Sequence, residues 1–404
     1  MFRKALYNSP RLSIYSLKLY FTHRLKVLFY PFSKLFILHK GDDNMSKQQR
    51  LTNQQRLHIR KVEEKIKFMP FYVEEYVDDM LSGNCSPSTL LGYIHDYERF
   101  FQWLINERIV NVKEIIDIPL STLETLSLKE ANSFFSYLAY ELELQDESIN
   151  RKKSSLKSLF NFLTTRTEDE DGECYFYRNV MAKVKMAKRQ ETLDVRAERI
   201  GEKILHDNEI MKFIKFVEED YSLKIENEKQ KLAYFKRNKE RDLAILSLLL
   251  ASGLRVGELS NLRLSSINMT QRKLSVLRKG NKESIVYFRK FALSYLENYL
   301  KIREDRYKAT LDNKALFVTM YQKKAHPLSI RAIQQLVMKY TKAFRDEALS
   351  PHKLRHSFAT EFAKRNSMYD LMRQLGHSST ETSSLYINAT DEQARFAIDR
   401  LDEK

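Results

Sequence analysis

Cysteine is nearly absent from this sequence. Only Cys85 and Cys174 occur, far apart and in no C-x-x-C pair. Two isolated cysteines supply neither a disulfide framework nor the thiolate set of a structural zinc site, so both are excluded. This cysteine usage fits the reducing cytosol, and we expect a cytoplasmic location.

Glycine and proline are also scarce, with 9 and 7 residues in a chain of 404. Because these residues mark turns and helix ends, their scarcity predicts long helices joined by few tight turns. The expected fold class is mainly α with a small β-sheet. The length fits two domains better than one small core.

Long hydrophobic runs are missing as well, even from the first 44 residues, which are rich in large apolar side chains. A membrane-spanning helix needs about 20 apolar residues in a row. The run is broken here by Lys18, Arg24, Lys26 and Lys34. The segment also lacks the apolar stretch and cleavage site of a signal peptide. We expect residues 1–44 to be a basic leader, either a mis-set start before Met45 or a disordered arm, with a surface-lying amphipathic helix as the alternative.

Positive charge is what the sequence has in excess. Lys and Arg number 69 against 53 Asp and Glu, which gives a net charge of +16 and a pI near 9.5. Such an excess favours a polyanionic partner, and nucleic acid is the first candidate. A basic protein without such a partner is the plain alternative.

Residues 68–165 carry a helical pattern. In SPSTLLGYIHDYERFFQWLINERI, Ser86 is the expected N-cap, a proline follows it, and apolar residues then recur every three or four positions. A second helix, SINRKKSSLKSLFNFL, has basic residues near its start. Arg151, Lys152 and Lys157 are therefore candidate DNA contacts, although a solvated helix face explains such a cluster equally well.

The middle of the chain is highly charged and has few large apolar residues. We interpret residues 183–203 as an interdomain linker, with residual helix as an alternative. This predicts a helical domain at 45–182 and a second domain at 204–404. In the second domain, Gly253 is expected to close an apolar helix. The stretch RKLSVLRKGNKESIVYFRK alternates around a Gly-Asn pair as a β-hairpin does.

One segment, SPHKLRHSFATEF, gathers polar residues on a predicted helix. Ser350 is its expected cap, and His352, Arg355 and His356 share one face because they lie three and four positions apart. The two histidines have the spacing of a zinc protease, but that motif needs Glu directly after the first His, where Lys353 stands. A cation beside a cation site is unfavourable. We therefore predict no metal.

Other polar residues of the second half are weak evidence one at a time. Arg255 follows a helix end and could simply pair with Glu258. Lys279, beside a hairpin turn, would ordinarily be solvated. His377 follows a glycine, where it could meet a helix C-terminus, and Tyr386 could pack in the core. Each of these residues has an ordinary structural explanation.

Together, the segments ASGLRVGEL, RKGNKES, SPHKLRHSFAT, LGHSS and LYINA resemble the tyrosine recombinase (phage integrase) family, in the same order. That family's signature is an arginine, a hairpin lysine, His-x-x-Arg, a His or Trp, and a tyrosine nucleophile. The matching residues of this sequence are the candidate catalytic residues: Arg255, Lys279, His352, Arg355, His377 and Tyr386. The resemblance covers residues 68 to 400.

The resemblance implies a site-specific DNA recombinase. Its helical core-binding domain and its catalytic domain would form a C-shaped clamp on double-stranded DNA. Tyr386 would attack a phosphodiester and form a 3′-phosphotyrosine intermediate. Arg255 and Arg355 would hold the phosphate, because a guanidinium stays charged and donates two parallel hydrogen bonds.

The resemblance also implies the proton transfers. His352 would take the proton of the tyrosine, His377 would donate a hydrogen bond to a phosphate oxygen, and Lys279 would protonate the departing 5′ oxygen. The guanidinium pair would do the work that Mg²⁺ does elsewhere, and the covalent link would retain the bond energy. No cofactor, metal or ATP is therefore expected.

The end of the chain, ATDEQARFAIDRL, predicts a short amphipathic helix with Phe396, Ile398 and Leu401 on one face. The resemblance implies that it docks on a neighbouring subunit and links a homotetramer around two duplexes. Folding back onto its own subunit is the alternative.

Within the family, the linker and the first helices most resemble the single-recombinase type that resolves chromosome dimers to monomers before segregation, with a septal DNA translocase as a candidate partner. An integrase or excisionase of a mobile element stays open. Outside recombination, a type IB topoisomerase shares the chemistry. A non-catalytic DNA-binding protein would have no reason to keep Lys279, His377 and Tyr386 together.

Overall fold

The structure is a computed structural model of the chain. It describes residues 53–187, 192–278, 282–310, 312–377 and 380–387. The chain divides into two units, Met1–Arg60 and Lys61–Lys404, and the first is described only at residues 53–60. The predictions for the leader, for Lys279 and for the C-terminal amphipathic segment lie outside the described residues.

The N-terminal helical region, residues 53–187, is built from helices joined by short turns. Its α-helices are α1 (Asn53–Ile66), α2 (Phe71–Ser82), α3 (Pro87–Asn106), α4 (Leu120–Thr125), α5 (Leu128–Tyr140) and α6 (Asp146–Thr165). Short 3-10 segments occur at Ile115–Asp117 and Val180–Lys183. The predicted start of α3 is confirmed, since the Ser86 side chain accepts a hydrogen bond from the Thr89 amide at 3.3 Å and a proline opens the helix.

Aromatic side chains fill the core of this region. The rings of Phe100 and Phe134 lie 5.0 Å apart between centroids, and those of Tyr76 and Phe162 lie 5.5 Å apart. Trp103, the only tryptophan of the sequence, packs against Phe134 with 6% of its surface exposed. The apolar stripe predicted for α3 therefore faces a core shared with α5 and α6.

The C-terminal region, residues 192–387, has a second hydrophobic core. Its α-helices are α7 (Leu193–Glu202), α8 (Asp207–Lys215), α9 (Tyr221–Lys224), α10 (Lys229–Ser252), α11 (Val256–Ser260), α12 (Ala292–Tyr307), α13 (Ile330–Arg345), α14 (Pro351–Ala363), α15 (Met368–Leu375) and α16 (Thr380–Ile387). A π-helical turn, Phe216–Asp220, joins α8 to α9, and a 3-10 turn lies at Leu264–Ser266. The last twelve residues of α10 are all buried, so this helix is the centre of the region.

Two small antiparallel sheets complete the C-terminal region. Strands β1 (Ile267–Asn268), β2 (Lys273–Arg278) and β3 (Lys282–Tyr287) form one sheet in the order β1-β2-β3. In its hairpin, Lys273 pairs with Tyr287 and Arg278 with Lys282. Strands β4 (Val318–Tyr321) and β5 (Lys324–Pro327) form the other.

The described residues confirm the predicted fold class, mainly helical with small sheets. Gly253 ends α10 as expected, and the hairpin strands pair around the predicted turn. Within the predicted linker, residues 193–202 form α7, which packs against α16. The domain boundaries themselves stay a prediction. No helix in the described parts of the chain is long and apolar enough to span a membrane.

Candidate active site

Two helix C-termini meet at the centre of the candidate site. Helix α10 ends at Gly253 and α15 at Gly376, with φ angles of 67° and 65°. A Cβ on Gly253 would lie 2.3 Å from the Phe358 ring, and one on Gly376 would lie 1.5 Å from the Arg278 guanidinium. Both the left-handed backbone and the lack of room therefore require glycine.

Arg355 lies on α14 and is 2% exposed. Its Nη1 donates to the Gly253 carbonyl at 2.7 Å, and its Nη2 donates to the Leu375 carbonyl at 2.8 Å. Nη2 also lies 3.1 Å from His377 Nε2. Since arginine cannot accept a hydrogen bond, His377 Nε2 is the acceptor of this contact. Backbone carbonyls thus hold the guanidinium in one orientation.

Arg255, the residue before α11, reaches one of the same carbonyls. Its Nη1 donates to Leu375 O at 3.3 Å and its Nη2 donates to Gly376 O at 3.4 Å. The guanidinium groups of Arg255 and Arg355 therefore meet at the Leu375 carbonyl. The structure brings together two arginines that are distant in sequence and that the signature assigned to one phosphate.

A single carboxylate serves both arginines. Glu258 accepts hydrogen bonds from the backbone amide and from Nη1 of Arg255, both at 2.9 Å, and its Oε2 lies 3.9 Å from Arg355 Nη1. The ordinary Arg255–Glu258 pair considered from the sequence is thus present as well. Burial, reinforced by the Arg255 charge, lowers the pKa of Arg355 to about 10. Positive charge is therefore in excess here, which suits an anion.

Tyr386 lies on α16 beside these arginines and is 2% exposed. Its ring is nearly parallel to the His377 ring, with centroids 6.0 Å apart. Its hydroxyl is 2.7 Å from His356 Nδ1. Burial raises the pKa of Tyr386, and the charges of Arg355 and Arg255 oppose that shift. In this arrangement the phenol is protonated at neutral pH.

The two signature histidines occupy different environments. His352 is exposed in the first turn of α14, and its ring lies 4.3 Å from the His356 ring. His377 Nδ1 is 2.9 Å from Ser383 Oγ on α16. Burial and the Arg355 charge lower the pKa of His377 to about 4, so this imidazole is neutral at pH 7. Because Nε2 accepts from Arg355, Nδ1 carries the proton and donates to Ser383.

Comparison with known proteins agrees with this geometry. Residues 206–393 match the model of the phage integrase family. The chain is 41% identical over 355 residues to the tyrosine recombinase XerS of Streptococcus mutans, covering 85% of this chain and 99% of that protein. It is 40% identical to XerS of Lactococcus lactis, with 85% and 98% covered.

The chain belongs to the tyrosine recombinase (phage integrase) family. Solved structures of other recombinases share its fold. XerH bound to its palindromic difH substrate superposes with a TM-score of 0.60 at 17% identity, over 88% of this chain and 92% of that one. The Tn1549 transposon integrase in complex with circular intermediate DNA gives 0.53 at 19% identity, over 82% and 99%.

The recombinase hairpin is anchored at the site by a residue that sequence reasoning missed. Arg278, the last residue of β2, donates to the Gln374 carbonyl at 2.7 Å and to the Arg373 carbonyl at 3.4 Å. Gln374 in turn donates to the Tyr287 carbonyl at 2.7 Å. The strand end is therefore fixed to α15. Lys279 is the next residue along the chain, and its role as general acid stays a prediction.

Two of the three predicted DNA contacts on α6, Arg151 and Lys152, take part in an ion-pair cluster. Asp96 on α3 accepts two hydrogen bonds from Arg151, at 2.6 and 2.7 Å, and one from Lys152 at 2.8 Å. Lys152 is buried, so its ion pair with Asp96 joins α6 to α3. Lys157 is half-buried on the same helix. DNA binding by these residues stays a prediction.

Two residues of the site received no catalytic role from the sequence, Glu258 and His356. Glu258 was visible only as a helical partner of Arg255, and His356 only as a companion of His352. Neither the i, i+3 spacing nor the shared face predicts the contacts to Arg355 and Tyr386, because those depend on tertiary packing. Among the described residues, no group of three or more His, Cys, Asp or Glu could hold a metal ion.

Proposed function

We propose that this site-specific tyrosine recombinase cuts and rejoins DNA with Tyr386 as its nucleophile and Arg255 and Arg355 as its phosphate clamp. The observation that carries the proposal is the meeting of the two guanidinium groups at the Leu375 carbonyl, beside the Tyr386 ring. A DNA phosphate entering this space would replace the weak carbonyl contacts of Arg255 with charge-assisted hydrogen bonds.

The reaction that follows from this clamp is a transesterification. The Tyr386 oxygen attacks phosphorus, the bond from phosphorus to the 5′ oxygen breaks, and a 3′-phosphotyrosine link with a free 5′ hydroxyl forms. Extra negative charge develops on the phosphate in the transition state, and the two guanidinium groups stabilise it. A second 5′ hydroxyl reverses the reaction and reseals the DNA without ATP.

The proton transfers complete the proposal. His352 takes the phenolic proton and Lys279 gives a proton to the leaving 5′ oxygen, as the family signature implies. Although the His352 side chain is exposed, desolvation by the surrounding protein and the charges of Arg355 and Arg255 lower its pKa, so it is neutral and able to accept a proton at pH 7. For His377 to donate to a phosphate oxygen through Nε2, its proton has to move from Nδ1 and its contact with Arg355 has to open.

Helix α14 adds a second source of positive potential. Ser350 precedes the helix, but its side chain makes no capping hydrogen bond there. In the first turn Pro351 has no amide hydrogen, and the Lys353 amide donates to the Ser350 carbonyl at 2.9 Å, which leaves the His352 amide for an anion. The helix dipole also favours negative charge at this end. His352 projects from the same turn. We expect the phosphate to lie near this helix start.

At the level of assembly, we propose that the core-binding domain (45–182) and the catalytic domain (204–404) clamp one specific site on double-stranded DNA. A homotetramer would hold two duplexes. The separate hydrophobic cores of the N-terminal and C-terminal regions support two domains. Cys85 and Cys174 are not joined in a disulfide, and this supports a cytoplasmic location.

The biological substrate that we propose is a chromosome dimer, resolved to monomers before segregation, with a septal DNA translocase as the candidate regulator. The identity to proteins named XerS, over nearly their whole length, favours this substrate over the ends of a mobile element. Footprinting on genomic fragments would locate the site and separate the two substrates.

Tyr386→Phe tests the chemistry. The substrate is a nicked duplex with the sequence of a genomic fragment that the protein protects in footprinting. The variant should form no covalent protein–DNA adduct on it, because phenylalanine has no nucleophile. It should bind that duplex nearly as tightly as the wild type, since the clamp residues are unchanged. Adducts are measured on denaturing gels and binding by mobility shift. An adduct that survives the substitution would place the nucleophile elsewhere.

A further inference from the structure

The Tyr386 hydroxyl is engaged by a residue outside the family signature. His356, one residue beyond Arg355 on α14, has its Nδ1 2.7 Å from the phenolic oxygen. Both side chains are buried, at 9% exposure for His356 and 2% for Tyr386. Such a short hydrogen bond holds a buried hydroxyl in place, because breaking it without forming another leaves the desolvated hydroxyl without a partner, which costs free energy.

The direction of this hydrogen bond follows from the charge of each group. Burial, with smaller contributions from His352, Lys353 and Arg355, lowers the pKa of His356 to about 3, so the imidazole is neutral at pH 7. The phenol is protonated, since burial raises the pKa of Tyr386. A protonated phenol is a better donor than acceptor, so Tyr386 donates and Nδ1 accepts.

The same charges argue against His356 as the base of the reaction. Its neutral ring has a very low proton affinity beside Arg355 and the His352 ring, whose centroid is 4.3 Å away. Transfer of the phenolic proton to such a ring is strongly unfavourable. The contact can hold the hydroxyl, but it does not activate it.

The surroundings of the contact make the held position a stable one. Tyr386 belongs to a small apolar cluster with Phe358, Ala359 and Leu375. Its helix, α16, packs against α7, α14 and α15. The phenol is therefore fixed at its ring by packing and at its hydroxyl by His356.

We propose that His356 is a positioning residue that holds the Tyr386 hydroxyl in a resting position, from which it is released before it attacks DNA. The inference rests on the proposed function in one respect, the assignment of Tyr386 as the nucleophile. The neutral His356 ring accepts the hydrogen bond of the buried Tyr386 hydroxyl. This hydrogen bond breaks when the assembled DNA complex offers the hydroxyl a more favourable position.

The first test needs no DNA and no catalysis. His356→Phe fills the ring volume without an acceptor, whereas His356→Asn keeps an acceptor oxygen near the place of Nδ1. Nitration of Tyr386 by tetranitromethane, followed by peptide mass spectrometry on the full chain, reports how often the phenol is released. We expect about 3- to 10-fold faster nitration in His356→Phe, the range that the loss of one hydrogen bond gives, and near-wild-type nitration in His356→Asn.

Two controls show whether the change in nitration rate is specific to the contact between His356 and Tyr386. Tyr369, which is 74% exposed, should be nitrated equally in all variants. Thr360→Val changes another buried position of α14, whose hydroxyl has no partner among the described residues, and should leave Tyr386 at the wild-type rate. If His356→Phe does not fold, as judged by circular dichroism, His356→Leu replaces it.

The second test is the rate of covalent adduct formation on the nicked duplex at saturating protein. Release of the nucleophile should make His356→Phe faster than the wild type by about the same 3- to 10-fold. Unchanged nitration and unchanged adduct rates would overturn the proposal, and so would an adduct rate that falls more than 10-fold while nitration stays constant. Failure of the Tyr386 assignment is seen separately, as adducts that persist in Tyr386→Phe.

Discussion

Asp96 in the N-terminal helical region and Glu258 in the C-terminal region are both buried carboxylates that lie between two cations, and the two clusters differ in what the cations contact. Asp96 is fully engaged by Arg151 and Lys152 at 2.6 to 2.8 Å. Glu258 is engaged by Arg255 at 2.9 Å but lies 3.9 Å from Arg355, which bonds to carbonyls instead. The first cluster fastens two helices, and the second leaves positive charge unpaired.

This difference separates a structural ion pair from an anion site of similar composition. In the Asp96 cluster the charge-assisted bonds go to the carboxylate, so an incoming phosphate would have to compete with it. In the Glu258 cluster most N–H groups of the two arginines donate to neutral carbonyls. A phosphate can replace these carbonyls as the acceptor, because a charge-assisted hydrogen bond is stronger than a neutral one. A count of basic residues would not distinguish the clusters, whereas the identity of their acceptors does.

The largest effect is expected from Arg355→Lys, which keeps the charge of the clamp and removes its planar fork. A lysine cannot bond the Gly253 and Leu375 carbonyls and a phosphate with the same geometry. We expect cleavage on the nicked duplex to slow by about 10² to 10³-fold, the loss typical of one oxyanion donor. Single-turnover adduct formation measures this, with DNA affinity determined in parallel.

Arg303→Lys is the matched control for that experiment. Arg303 is also buried, at 5% exposure, and donates to the carbonyls of Asn313 and Ala315 at 2.8 and 2.6 Å, away from the site. Its substitution should lower stability with little change in the rate of cleavage by the folded fraction. Equal losses of cleavage in the two variants would mean that Arg355 acts through folding alone.

Asp96→Asn should break the other cluster without touching the chemistry. It leaves the buried Lys152 charge without its carboxylate, which should lower the free energy of unfolding of the N-terminal helical region by about 3 kcal/mol. The fluorescence of Trp103 reports this region selectively, because it is the only tryptophan and lies in that core. Cleavage by folded protein should stay near the wild-type rate, and a stability unchanged by the substitution would show that the cluster carries no packing energy.

The sequence was most informative where a local rule decides the structure. The cap at Ser86, the left-handed helix end at Gly253 and the strands of the β2–β3 hairpin are all set by residues within a few positions of each other. The order of the signature segments predicted which side chains would be needed. These features cover the fold class and the identity of most candidate site residues.

Contacts across helices could not be predicted in the same way. The Leu375 carbonyl that joins Arg255 to Arg355 is a backbone atom, so no residue type marks it in the sequence. The contact of His356 with Tyr386 depends on how α16 packs against α14. The Asp96 cluster joins α3 to α6, and from the sequence its basic residues Arg151 and Lys152 were candidate DNA contacts or part of a solvated helix face.

Acidification should lower the free energy of unfolding of the C-terminal region and raise that of the N-terminal helical region. Both effects should be smaller than those of the substitutions above. His356 and His377 have pKa values of about 3 and about 4 in the folded C-terminal region, below the value near 6.5 of an unfolded chain. Between pH 6.5 and 4 the unfolded state therefore binds more protons, so the free energy of unfolding of this region falls as the pH falls. In the N-terminal region, burial raises the pKa of Glu75, despite the hydrogen bond from Tyr175, so acidification favours its folded form.

For His356 the loss should be about 1 kcal/mol at pH 6 and about 2 kcal/mol at pH 5, with a smaller share from the more exposed His377. Hydrogen exchange of peptides from α14 and α16 measures the C-terminal region, and Trp103 fluorescence measures the other. His356→Asn is the control, because it removes the titrating group and keeps an acceptor for Tyr386. If both regions weaken in parallel between pH 7 and 5, or if the asparagine variant keeps the full pH dependence, the buried histidines are not its source. A pH dependence that falls to the smaller His377 share in that variant would assign most of the acid sensitivity of the C-terminal region to His356.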